Sequence, residues 1–336
     1  ENEEKQKIIT YSFSYGLIFN ILLSLIMLVL AFIIFGNGNQ LLIVSLFMIR
    51  LFGVFLIDQA KSEVRGFHNN KKFGQIEIYS NILLLVSAVF SAYFFGVKGY
   101  IFSLCLSPFV VLFFHRFRIS FDRTQFKNFT EKSFWKFCVT MAFTNQVSEL
   151  IFLLDVFFIG IFLDNSAVAH YRIYSIIPFN LFFLAALFFQ TAYPKLCENH
   201  QNNQYQLQFL FNFWKLMVPI TILIFAVSYF GAEYILTLFG NDYAQNSMIF
   251  LILIGASISV LLLRTPFGYL LASKGKSIYN LIAALISILS LLVLIKPTIS
   301  NFGIEGVAWL SLVNLFFIGI FQMISYFYLV YRAPKL

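Results

Sequence analysis

The stretch Ile8–Phe35 reads IITYSFSYGLIFNILLSLIMLVLAFIIF, 28 residues without one Lys, Arg, Asp or Glu. As an α-helix it runs about 42 Å at 1.5 Å per residue. That exceeds the roughly 30 Å of hydrocarbon in a bilayer, so it reads as a membrane span. Nine further apolar runs follow, near Leu41–Ile57, Ile78–Phe95, Tyr100–Phe114, Phe137–Leu163, Tyr171–Tyr193, Phe209–Phe230, Ser247–Ala272, Ser277–Ile295 and Glu305–Val330. The expectation is therefore an all-α polytopic membrane protein of about ten transmembrane helices.

Composition agrees. The chain is 60% hydrophobic and 11% charged, more apolar than the core of a soluble domain of 336 residues requires. Cys105, Cys138 and Cys197 have neither metal nor redox spacing, and the four histidines are scattered, with His68, His115 and His200 in polar links. No catalytic constellation and no cofactor are implied. The net charge of +8 follows topology rather than nucleic acid, because the basic residues recur in links between apolar runs. Eighteen of the 23 Lys and Arg fall on the side where the chain begins. Among them are Lys71, Lys72, Arg116, Arg118, Arg123, Lys127, Lys274 and Lys335; the other side has Lys98, Arg172 and Lys296. The positive-inside rule then expects both termini in the cytoplasm, and the bacterial inner membrane as the location.

An internal repeat is visible. Phe95-Gly96-Val97-Lys98-Gly99 matches Phe302-Gly303-Ile304-Glu305-Gly306. Phe35-Gly36-Asn37 matches Phe239-Gly240-Asn241. Arg50-Leu51-Phe52-Gly53 matches Arg264-Thr265-Pro266-Phe267-Gly268 if one residue is inserted. Three matches in order imply parallel repeats, a known transporter plan. The expected division is a first bundle over 1–134 and a second six-helix bundle over 135–336. The first would lack two N-terminal helices, making the chain a fragment of a twelve-helix protein.

Ionisable groups inside apolar runs need a reason, since each costs roughly 2.5–3.5 kcal/mol at mid-bilayer. Arg50 and Arg264 occupy matching repeat positions, and at helical spacing Ser257, Arg264 and Gly268 form one stripe. In the fifth run Asn145, Ser148, Glu149 and Asp155 fall within about 120° of arc, away from Ile151, Leu154 and Phe158. The two arginines are candidates for a cationic cavity, or alternatively for structural pairs or snorkelling. Glu149 and Asp155 are candidates for binding a coupling proton or cation, or for buried helix–helix contacts. Gly231–Asn246 reads as an interfacial segment, and Asp58–Glu77 as a basic helical extension against headgroups.

The runs Leu154-Asp155-Val156-Phe157-Phe158-Ile159-Gly160, Ala169-His170-Tyr171-Arg172-Ile173-Tyr174 and Tyr193-Pro194-Lys195-Leu196 resemble the O-antigen flippase (Wzx-type) branch of the polysaccharide transporters. So do Ile235-Leu236-Thr237-Leu238-Phe239-Gly240 and Gly303-Ile304-Glu305-Gly306-Val307-Ala308. That branch belongs to the multidrug/oligosaccharidyl-lipid/polysaccharide exporter superfamily. The resemblance implies two bundles around a cationic cavity. It implies movement of an oligosaccharide on undecaprenyl pyrophosphate from the cytoplasmic to the periplasmic leaflet, coupled to an ion. By position Arg50 and Arg264 would take the pyrophosphate, and Glu149 and Asp155 the coupling ion. The implied partners are lipid-linked oligosaccharide, membrane lipid and other glycan-assembly membrane proteins. The alternatives are a drug/cation antiporter of the same superfamily and a membrane polysaccharide polymerase. The polymerase needs a reactive extracytoplasmic loop, and Gly231–Asn246 has only Glu233 and Asp242 as charges.

Overall fold

The computed structural model describes residues 2–36, 38–114 and 132–332, and in them every long element is a helix. His115, Arg116, Arg118, Arg123, Lys127 and Lys335, part of the charge bias above, lie outside the described residues. The helices are α1 (Asn2–Phe35), α2 (Asn39–Gly66), α3 (Asn70–Phe114), α4 (Lys132–Phe162), α5 (Asn165–Asn180), α6 (Phe182–Glu198) and α7 (Asn203–Thr237). A 3-10 turn at Asn241–Asn246 leads into α8 (Ser247–Ser259), a π turn (Val260–Arg264), α9 (Thr265–Ser273) and α10 (Ile278–Arg332).

Eight apolar stretches are long enough to cross a membrane. Two of them, α3 with 45 residues and α10 with 55, are far longer than one crossing needs. Each contains one glycine at which the backbone leaves the helix, Gly96 at φ 60, ψ −148 and Gly303 at φ 59, ψ −144. That region is open essentially to glycine alone. Each long helix therefore turns back as a hairpin with a single-residue turn. With both counted as hairpins, the described helices make ten crossings. The second glycine of each motif lets the two limbs close. A Cβ at Gly306 would sit 2.7 Å from the Phe302 Cβ and 3.0 Å from the Thr298 carbonyl oxygen, and one at Gly99 would strike the Ser91 carbonyl. The matched FG-x-x-G sequences are thus one device used twice.

The chain forms two compact units, Glu1–Thr130 and Glu131–Leu336. In the first, α2 packs on α3 through Ile57, Ala60 and Ile76, and Lys61 pairs with Glu77 at 2.8 Å. In the second, α4 to α10 bury three apolar clusters. Asp164 caps α5 by accepting from the Ala167 amide at 2.7 Å, and Asn202 caps α7 by accepting from Tyr205 at 3.0 Å. Such caps satisfy amides that a helix start leaves unbonded. Three spans differ from the sequence reading. The fourth begins at the Gly96 turn, the sixth is broken between α5 and α6, and the eighth contains the π turn. The segment Gly231–Asn246, expected to lie at the interface, instead continues α7 to Thr237 before turning.

Candidate functional site

Irregular backbone inside a membrane leaves carbonyls that water cannot reach, so other groups must satisfy them. The second unit has two such places side by side. At the first, α5 carries Pro178, which has no amide hydrogen, and the helix breaks at Leu181. The Ser257 hydroxyl of α8 donates to the Pro178 carbonyl at 2.8 Å. At the second, the π turn Val260–Arg264 holds one more residue than an α turn. The Trp214 indole N–H of α7 donates to the Leu262 carbonyl at 2.9 Å. Just beyond, Asn280 donates to the Gly268 carbonyl at 2.9 Å and accepts from Gln322 at 3.0 Å.

Arg264 closes the π turn. Its guanidinium lies over the Phe152 ring of α4, 5.2 Å from the centroid. Phe152 in turn packs on Phe179 and Phe182, each 5.2 Å away, at the α5–α6 break. A guanidinium on an aromatic face gains on the order of 0.5–2 kcal/mol, with the larger values where water is excluded. Glu149, one turn before Phe152, acts on Arg264 electrostatically, but the two form no ion pair within 4 Å among the described residues. Arg264 is therefore a half-buried cation held by a ring rather than neutralised by a carboxylate. The expected stripe of Ser257, Arg264 and Gly268 does not survive. Ser257 is committed to the α5 carbonyl, and the extra residue of the π turn shifts the helical register between it and Arg264. The residue inserted in the repeat alignment was the one trace of this turn in the sequence.

Arg50 lies in the first unit, half-buried on α2 and near Cys105 of α3. It makes no ion pair among the described residues. Lys61, assigned to the same helix face, is tied to Glu77.

The polar arc of α4 also divides. Asp155 is 2% exposed, on a face shared with Val147, Ile151 and Ile159. Asn145 and Glu149 lie on the exposed face, with Glu149 about 120° from Asp155 around the helix. Ile151, expected opposite the polar arc, belongs to the buried face. The Asp155 Oδ2 accepts from the Ser311 hydroxyl of α10 and from the Tyr171 hydroxyl of α5 at 3.2 Å. Tyr171 and Ser311 are themselves 3.2 Å apart. Oδ1 of Asp155 is buried without a hydrogen-bond partner, and so is the Tyr174 hydroxyl one turn from Tyr171. A buried carboxyl with one free oxygen suits protonation or a small cation. No cluster of metal-ligating side chains occurs among the described residues.

No protein-family model matches the sequence, and no curated protein does either. Solved structures do match. The bent form of the Vibrio cholerae MATE transporter VcmN superposes with a TM-score of 0.72 at 15% identity, covering 96% of this chain and 82% of that one. The chain has the MATE transporter fold. A MOP superfamily transporter from Pyrococcus furiosus, described as having a binding pocket of reverse polarity, gives 0.71 at 14% identity over 98% and 80%. An outward-facing multidrug resistance MATE family transporter of the MOP superfamily gives 0.64 at 15% identity over 97% and 78%. With this fold and its apolar helices, the chain is a multi-pass membrane protein of transporter architecture.

Proposed function

We propose that the chain is a flippase for a lipid-linked oligosaccharide, and that Arg264 and Arg50 bind its pyrophosphate. The observation that carries this reading is Arg264 itself: an intramembrane guanidinium on an aromatic ring, beside two breaks in helical backbone, without a carboxylate bound to it. A site for cationic drugs would gain nothing from that charge. A diphosphate would, since the planar fork of Arg matches phosphate oxygens. The Pyrococcus furiosus neighbour, with its pocket of reverse polarity, is a precedent for the fold carrying a site of another sign. Within this reading Asp155 and Glu149 are the ion-coupling carboxylates. Asp155 offers its free oxygen to a proton or cation, and Glu149 balances Arg264 while the site is empty. Both termini lie in the cytoplasm of a bacterial inner membrane.

The test is complementation of a flippase-deficient strain by the chain in its natural full-length frame. Arg264→Ala should abolish surface glycan while protein in the membrane stays at the normal level, and Arg264→Lys should restore only part of it. Normal glycan export by the double Arg50→Ala, Arg264→Ala variant would defeat the proposal.

A further inference from the structure

Two cavities lie along α10, both between its antiparallel limbs. The upper, about 610 Å³, sits beside the Gly303 turn and is bordered by Thr298 and Phe302 on one limb and Glu305 and Trp309 on the other. The lower, about 260 Å³, is bordered by Ile286, Ser287 and Ser290 opposite Asn314, Phe317 and Phe321. The residues step by four along each limb, 309, 313, 317 and 321 on one and 286, 290, 298 and 302 on the other. A step of four keeps to one helix face. The cavities are therefore the two ends of one groove, which runs roughly 24 Å from Glu305 to Phe321.

The groove is graded in chemistry. At the turn, the Glu305 carboxylate is exposed and has no cation partner among the described residues. Rings of Phe302 and Trp309 border it, and aromatic faces attract a cation as the carboxylate does. Deeper, Asn314 is 7% exposed and its Nδ2 has no acceptor, although its Oδ1 accepts from Ser290. The Ser287 hydroxyl, on a residue 2% exposed, has no partner either. Unpaired polar atoms within a span are costly, so the groove lacks an acceptor at this depth. Beyond them the walls are apolar and open, with Phe317 63% exposed.

We propose that this groove seats one phospholipid with an ammonium headgroup. The ammonium lies against Glu305, Phe302 and Trp309. An ester carbonyl accepts from the Asn314 amide or the Ser287 hydroxyl. The acyl chains run past Phe317 and Phe321. An anionic headgroup is disfavoured, because Glu305 repels it and no basic residue lines the groove. The assignment does not depend on the transported substrate.

Native mass spectrometry of the delipidated full chain tests it, titrating phosphatidylethanolamine against phosphatidylglycerol of identical chains. The expected preference for phosphatidylethanolamine is about fivefold, the scale of an exposed ion pair plus a cation–π contact. Glu305→Gln should bring the ratio to about one without lowering the thermal unfolding midpoint, since Glu305 holds no other element. Asn314→Leu should weaken both lipids alike and keep the ratio. A brominated acyl chain should quench Trp309 in wild type, measured as the difference from Trp309→Phe, and less in Asn314→Leu. A wild-type ratio of one, or a preference that persists in Glu305→Gln, overturns the proposal in favour of annular lipid only. Displacement of the lipid by soluble ethanolamine at low millimolar concentration overturns the lipid as the occupant.

Discussion

Replacing Gly319 by alanine puts a methyl group where α10 meets the π turn. The new Cβ would lie 2.6 Å from the Leu263 Cβ and 3.2 Å from the Arg264 backbone nitrogen. Carbon atoms pack at about 3.5–4.0 Å, so the helices must part by roughly 1 Å or the turn must shift. Neither partner is the free end of a side chain. Overpacking of this kind costs about 1–3 kcal/mol. Gly255→Ala is the internal comparison, because its Cβ would meet only the Leu312 Cδ1, at 3.1 Å. That methyl can rotate away, so the cost there should stay below about 1 kcal/mol. The assay is thermal unfolding of detergent-purified protein, followed by the rate at which Arg264→Cys reacts with a membrane-impermeant thiol reagent in the Gly319 and Gly319→Ala backgrounds. Gly319→Ala should lower the midpoint and alter that rate, while Gly255→Ala should change neither appreciably. Equal midpoints for the two variants would show that α10 does not press on the π turn, and the account of how Arg264 is held would fail.

Two further predictions concern other parts of the chain. Gly303→Ala should cost roughly 1–3 kcal/mol, because a side chain is strained at φ 59, ψ −144, and Gly96→Ala should cost a similar amount in the first unit; unchanged unfolding of both would refute single-residue turns. Lys274, in the link after α9, donates to the His200 carbonyl at 2.9 Å and to Asn203 at 2.7 Å, and burial lowers its pKa from 10.5. The unfolded chain then holds this proton more tightly than the folded one, so stability should rise with pH between the lowered folded value and 10.5. That rise should be absent from Lys274→Met in a titration of the unfolding midpoint.

The glycine pairs were legible because a hairpin without a loop needs two residues of one type at fixed spacing, and the chain repeats them. Asp155 was legible as an acid inside an apolar run. Its partners were not, since Tyr171 and Ser311 come from α5 and α10, and Ser311 is 156 positions away. The division of the α4 arc escaped for a related reason. A helical wheel ranks residues by angle and says nothing of which neighbour covers which angle, so Ile151 was set against Asp155 although the two share a buried face. The π turn left only a one-residue offset between Arg50 to Gly53 and Arg264 to Gly268. An offset marks an insertion without showing where the helix stores it.

The single-residue turns at Gly96 and Gly303 bear on how the protein is made. A span followed by a long loop can enter the bilayer and wait for the next. The limbs of α3 and of α10 have no slack, so once the first limb is threaded the second must follow at once, and each pair is delivered to the lipid as one preformed wedge. For α10 the wedge is the last 55-residue helix of the described chain. The second unit therefore stays open on one flank until synthesis is nearly complete, and Asp155 receives Ser311 only when α10 closes it.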